Sequence, residues 1–256
     1  MWSKSKRTGG AVVLGLAAAV VFFAAGMAPE PEEADQKGIV TFVEGSARKQ
    51  KVTEEEWHRV LVDSTVISGE RVRTFSESRA ELEIARLDRV RMAPRTTIDI
   101  LKLYEETVEQ ERESAIVLQS GELWAHVGKK SGAKRFSITT PVAAAAITGT
   151  TLRLSVGADS STELRVYAGE VVLSRVVGQD SIRSAHPGAP HQVPGPAEVA
   201  APREVTLEEW RLIVRSMQRV RVDGRGEVVQ SGSFSPEDPD EQSDWVNWNR
   251  ARDQKL

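Results

Sequence analysis

Apolar residues recur at every second position along much of this chain, a period that belongs to half-buried β-strands and not to helices. Ile39-Val40-Thr41-Phe42-Val43 ends at Gly45. Val72 and Thr74 alternate with Arg71 and Arg73. Ala80, Leu82 and Ile84 alternate with Glu81 and Glu83, and Val90 and Met92 with Arg89 and Arg91. Leu123, Ala125 and Val127 alternate with Trp124 and His126. Phe136 and Ile138 follow, then Leu152, Leu154 and Val156, Leu164 and Val166, and Val171 and Leu173. The pattern predicts about ten short strands between Gly38 and Val177. Without βαβ spacing, they indicate a sandwich, jelly roll or barrel. Gly-Glu at Gly69-Glu70, Gly121-Glu122, Gly169-Glu170 and Gly226-Glu227 is read as a tight turn feeding a strand each time. Tyr104 to Glu113 suits a surface hairpin or a short helix.

Gly10 to Ala28 is almost wholly apolar. As a helix it reaches roughly 30 Å, enough to cross a bilayer core. Lys4, Lys6 and Arg7 precede it, and Glu30, Glu32, Glu33 and Asp35 follow. That asymmetry predicts a cytoplasmic N-terminus and an exported body. Residues 10–28 are expected to be a transmembrane anchor in the inner membrane; a signal peptide cut after Ala24-Ala25-Gly26 is the alternative. Residues 1–9 form a short cytoplasmic stub and residues 29–37 an acidic stalk.

Residues 38–183 form the β-domain. Residues 184–205 are a Pro-rich linker, in which Pro187, Pro190, Pro194, Pro196 and Pro202 preclude regular ladders. Residues 206–256 are expected to carry two short helices. Thr206 and Glu209 make a capping box ahead of Leu207, Trp210, Val214 and Met217 on one helical face. Val220 to Gln230 follows as a strand pair turning at Asp223-Gly224, and a last helix spans Glu241 to Gln254. Trp245 and Trp248 are three apart and share one of its faces.

The chain has no cysteine, which excludes disulfides, thiol catalysis and Cys-ligated metals. With 40% apolar and 28% charged residues it is too apolar for general disorder, and a net charge of -3 disfavours nucleic acid as a partner. His58, His126, His186 and His191 lack metal-ligand spacing, and no Gly-x-Ser-x-Gly elbow or phosphate loop is present. His126 is read as lying on a solvated strand face. Glu81 and Glu83 have a separation a glycosidase could use, but solvated strand faces show it constantly. No cofactor, metal site or catalytic residue is therefore expected. Trp124, Trp245 and Trp248 are the candidate partner surface, because exposed tryptophans anchor partners or stack on sugars.

Thr140-Pro141-Val142-Ala143-Ala144-Ala145-Ala146-Ile147-Thr148-Gly149-Thr150 resembles the signature of the FecR domain family, with Thr148 where arginine is usual. Gly69 to Thr74, Gly121 to Trp124 and Tyr167 to Val171 support the resemblance in the right order, and Asp244 to Asp253 is similar to the ending of longer secreted members. The signature positions Thr140, Pro141, Gly149 and Thr150 read as packing, with small side chains admitting a neighbouring backbone. The resemblance implies a jelly-roll-like β-sandwich; with the segments read above, the expected fold is all-β, with an N-terminal transmembrane helix and a small helical C-terminal extension. It also implies periplasmic binding or scaffolding in envelope signalling, through a protein partner. Regulators of this family carry a cytoplasmic anti-sigma domain before their membrane helix. About eight residues stand there in this chain, so direct control of a sigma factor is not expected. Carbohydrate or peptidoglycan binding is the alternative function.

Overall fold

The computed structural model describes residues 37–84, 88–105, 112–128, 134–176 and 210–255. The expected anchor at 10–28, the stub, most of the stalk, the Pro-rich linker and the Thr206–Glu209 capping box lie outside them. Among the described residues no helix is long and apolar enough to cross a membrane.

The described chain is predominantly β, with 15 strands and a single α-helix. In chain order the strands are β1 (Gly38–Glu44), β2 (Ala47–Lys51), β3 (His58–Arg59), β4 (Thr65–Val66), β5 (Glu70–Thr74), β6 (Arg79–Ile84), β7 (Asp88–Met92) and β8 (Thr97–Glu105). The long β9 (Arg112–His126) follows, then β10 (Lys134–Thr139), β11 (Ala143–Val156), β12 (Thr162–Arg175), β13 (Arg211–Arg215), β14 (Gln218–Val222) and β15 (Val228–Ser233). A 3₁₀ turn, Pro239–Gln242, leads into α1 (Asp244–Asp253).

Hydrogen bonding joins all the strands into one sheet that folds into two layers around one core. Layer A runs β4-β1-β6-β7-β9-β11-β12-β14-β15 and layer B runs β3-β2-β5-β8-β9-β10-β11-β12-β13. Three strands serve both layers. Residues 121–126 of β9 pair with β7 and β11 in layer A, while residues 112–120 pair with β8 and β10 in layer B. β11 and β12 divide the same way. Every described pairing is antiparallel except β9 with β10.

The strands change layer at glycine. Gly121 (φ 89°), Gly149 (φ 60°) and Gly169 (φ 86°) occupy left-handed conformations inside continuous strands. Gly69 and Gly226 do stand before β5 and β15. Gly121 and Gly169 instead bend a strand in mid-course, which corrects the reading of all four as strand-feeding turns. A Cβ at Gly121 would sit 2.6 Å from Thr96 Cα, and one at Gly169 would sit 2.6 Å from the Gly149 carbonyl. The bends therefore need both the torsion and the bare Cα.

The core takes the alternating residues of both layers. Leu82, Val90, Leu123, Leu154 and Leu164 come from A, and Val72, Ile98, Ile116, Ile138 and Leu173 from B. Of Tyr104 to Glu113, Tyr104 and Glu105 end β8 and pair with Glu113 and Arg112 of β9, while residues 106–111 lie outside the described residues. The strand pair after Val220 is present as β14 and β15.

Over its described residues, 210–217, the helix expected from Leu207 to Met217 is not formed. Arg211–Arg215 is β13, paired with β12 in register Val171↔Val214. Leu207, Trp210 and Val214 fit a helical face, but Trp210, Leu212 and Val214 fit a strand face equally well. Unpaired polar groups along β12 favoured the strand. β13 to β15 thus complete the two layers, and the β-domain extends beyond residue 183 to Ser233. Among the described residues of the C-terminal part there is one α-helix, where two helices were expected.

Candidate functional site

The outward side chains of layer A form a row across adjacent strands: Phe42, Glu81, Arg91, Trp124, Arg153, Arg165 and Arg219 are successive cross-strand neighbours. Such a face is ordinarily solvated. Here the segment from Phe234 to Asp253 lies over it as a strap. Arg91, Trp124 and Arg165 are buried as a result.

The strap is held by charge. Arg91 donates Nε to Glu81 Oε2 (2.5 Å) and Nη1 to Asp253 Oδ1 (2.6 Å). Arg252 reaches back from α1 to both oxygens of Glu81 at 2.9 and 3.0 Å, and Thr41 donates its hydroxyl to the same carboxylate at 2.7 Å. Trp124 Nε1 donates to Asp253 Oδ2 at 2.9 Å. At the other end Arg165 spreads its guanidinium over Glu241, Asp240 and Glu163 at 2.7 to 2.8 Å, and Arg250 closes on Glu241 at 2.9 Å. Arg153 pairs with Glu122 at 2.7 Å, and Arg79 with Asp244. Ser243 caps α1 by accepting from the Val246 amide.

Aromatic rings fill the space between the ion pairs. Trp124 stacks on Tyr167 at 4.3 Å, which meets Phe234 edge-on. Trp245 and Trp248 stack on each other, with Arg252 over Trp248 at 5.0 Å and over Phe42 at 4.7 Å.

Burial pushes the Glu81 carboxyl up, but hydrogen bonds from Arg252, Arg91 and Thr41 outweigh it and hold the group down at about 2. Glu122 moves upward, because its burial outweighs Arg153. Burial raises the Tyr167 hydroxyl as well. At neutral pH Glu81 is thus an anion clamped by two guanidinium groups.

Trp124, read as a candidate partner surface, is 1% exposed and donates its indole N–H within the chain. Trp245 is buried and Trp248 half-buried, each against the other. The alternation had placed Trp124 on the outer face correctly, but the strap takes up that face. Glu81 is likewise buried, not solvated as its spacing suggested. His126 is half-buried, with Nδ1 3.0 Å from Thr151 Oγ1. The row was legible only across strands. Acids alternate along β6 and bases along β7, and nothing in either segment alone says that the two lie side by side.

The signature positions lie at the start and bend of β11. Thr140 is buried; its hydroxyl accepts from the Ala143 amide at 3.0 Å and from the Thr162 hydroxyl at 2.8 Å. Pro141 sits in the turn before β11. Thr150 donates to the Glu170 carbonyl at 2.8 Å, beside Gly149 and Gly169 at the layer crossing. These residues fix the corner where β11 and β12 change layer together. Among the described residues no group of His, Asp and Glu could hold a metal ion.

No curated protein matches the chain. Two crystal structures of a "putative anti-sigma factor" from Parabacteroides distasonis, at 1.65 and 2.50 Å resolution, align with 12% identity and a TM-score of 0.42. The alignment covers 64% of this chain and 60% of that one, so the chain spans about three fifths of the length of that protein. The family model described as FecR protein matches residues 70–172, from the start of β5 into β12. Strands of both layers and the layer crossings at Gly121, Gly149 and Gly169 fall in that stretch. Over residues 70–172, then, this chain is similar to the FecR protein family.

Proposed function

We propose that this protein is a non-enzymatic FecR-domain module of the cell envelope that binds or scaffolds a protein partner in signalling, held in the inner membrane by residues 10–28 with its β-domain outside the cytoplasm. The FecR match across the centre of the β-domain carries the reading. Two further observations support it. The apolar run from Gly10 to Ala28 has cations before it and acids after it. The buried carboxylates Glu81 and Glu241 are engaged by two and three arginines respectively, an arrangement suited to holding a surface rather than to proton transfer.

The test is protease treatment of intact spheroplasts, together with fractionation of a chain lacking residues 10–28. Digestion of the β-domain before lysis and release of the shortened chain from membranes are the expected results. A β-domain that survives until lysis overturns the location. Crosslinking in intact cells then retrieves the partner. The sugar-binding alternative relied on Trp124 and Trp245, both buried beneath or within the strap.

A further inference from the structure

Three arginines stand directly opposite one another on the outer face of layer B. Arg48 on β2 faces Arg59 on β3 to one side and Arg73 on β5 to the other, and the row continues through Thr97 on β8 to Ser120 on β9. With strands about 4.8 Å apart, the row crosses roughly 19 Å of sheet. All three arginines are exposed. Like charges directly opposite each other destabilise a sheet.

Layer A shows how this fold satisfies such a row. Arg153, Arg165 and Arg219 are also consecutive cross-strand neighbours. There the strap lays Asp240 and Glu241 over Arg165, with Trp245 and Phe234 packed alongside. In layer B, among the described residues, Arg48, Arg59, Arg73 and Arg95 form no ion pair. Nearby acids are engaged elsewhere: Asp99 by Arg71 and Gln119, and Glu54 by Lys51. Glu56 lies 4.0 Å from His58. Arg73 lies over the Trp57 ring at 5.2 Å and Arg48 over Phe75 at 5.8 Å. Stacking fixes the planes of these two guanidinium groups; Arg73 Nε donates to Thr97 Oγ1 at 3.2 Å, and the outer Nη groups stay available for a partner. Arg73, Phe75, Arg95, Thr97 and Ser120 line a shallow depression of about 420 Å³ beside the row.

We infer that the Arg59–Arg48–Arg73 row is a docking strip for an acidic polypeptide segment of a partner, which lays carboxylates over the guanidinium edges as the strap does on the opposite face. The inference rests on the reading of a protein-binding module and names the chemistry of the partner. Charge complementarity selects the occupant, and the layer A row shows that acid-bearing chain satisfies this geometry.

The experiment titrates the full chain, in non-ionic detergent at low ionic strength, with a labelled decamer of glutamate. A glutamine decamer serves as the uncharged probe and hexagalacturonate as the anionic sugar. The glutamate peptide is expected to bind, lose affinity with added salt, and bind about tenfold more weakly to the double variant Arg48→Gln/Arg73→Gln. Arg211→Gln, an exposed arginine outside the row, is expected to leave affinity unchanged. Urea midpoints no lower than the parent's show that the variants remain folded. Undetectable peptide binding, equal binding by parent and double variant, or tighter binding of hexagalacturonate than of the peptide overturns the proposal. Recovery of the envelope partner by the double variant at parental yield also overturns the strip while leaving the module reading intact; failure of the spheroplast test does the reverse.

Discussion

Replacing Glu81 by glutamine removes the charge that both Arg91 and Arg252 hold. The Glu81 carboxyl stands at about 2 against an ordinary value of 4.5. That separation corresponds to about 3 kcal/mol of stabilisation by the ionised form. The side chain is 6% exposed, so solvent screening offsets little of it. Because the folded value is the lower one, the stabilisation is complete above pH 4.5 and is lost as pH falls from 4.5 toward 2. Glu81→Gln is therefore expected to cost about 3 kcal/mol near neutral pH, in line with removing one partner of a buried pair. The difference from the parent should shrink below about 1 kcal/mol near pH 2, where the parent carboxyl is itself protonating. Urea unfolding followed by tryptophan fluorescence at both pH values measures this. Hydrogen exchange should place the weakened amides in α1, whose Arg252 loses its carboxylate. A loss of equal size at both pH values, or one under about 1 kcal/mol at neutral pH, refutes the account of the clamp.

Gly121→Ala and Gly169→Ala are each expected to cost about 2 kcal/mol or more, while Gly232→Ala, with nothing within 4 Å of its added Cβ, stays within about 0.5 kcal/mol in the same denaturation assay. Val214→Asp should unfold the edge of layer B or prevent soluble expression, whereas Ile213→Asp, on the exposed face of β13, should be tolerated. A helix there would not produce that contrast between adjacent residues. Arg48→Gln is expected to raise the melting temperature by about 1–3 °C at low salt, with the gain vanishing in high salt, because it relieves a like-charge row.

The inward residues of layers A and B were legible because one side of each strand faces the core. Leu82, Val90, Leu123 and Leu164 announce themselves by period alone. The FecR stretch was legible from Thr140 to Thr150 and the glycine-led segments around it. Four things were hidden. The layer crossings at Gly121 and Gly169 read as turns, because a left-handed residue marks a bend in mid-strand and a strand start alike. β13 read as a helix because Trp210 and Val214 satisfy both periods, and only the open edge of β12 decides between them. Burial of Glu81, Arg91 and Trp124 depends on a segment more than a hundred residues downstream, and no local pattern carries that distance. The arginine row was hidden for a related reason: Arg48, Arg59 and Arg73 are unremarkable along the chain and become a feature only through register.

The shared strands β9, β11 and β12 have a mechanical meaning. An ordinary sandwich can shear, one slab sliding over the other on greasy contacts. Here three backbones are threaded through both slabs, so sliding would have to tear covalently continuous ladders at Gly121, Gly149 and Gly169. Ser120, at the end of the arginine row, is four residues from Trp124, which the strap grips. A tug on one surface is thus delivered to the other along a stiff cord, and neither slab can be cut out to stand by itself.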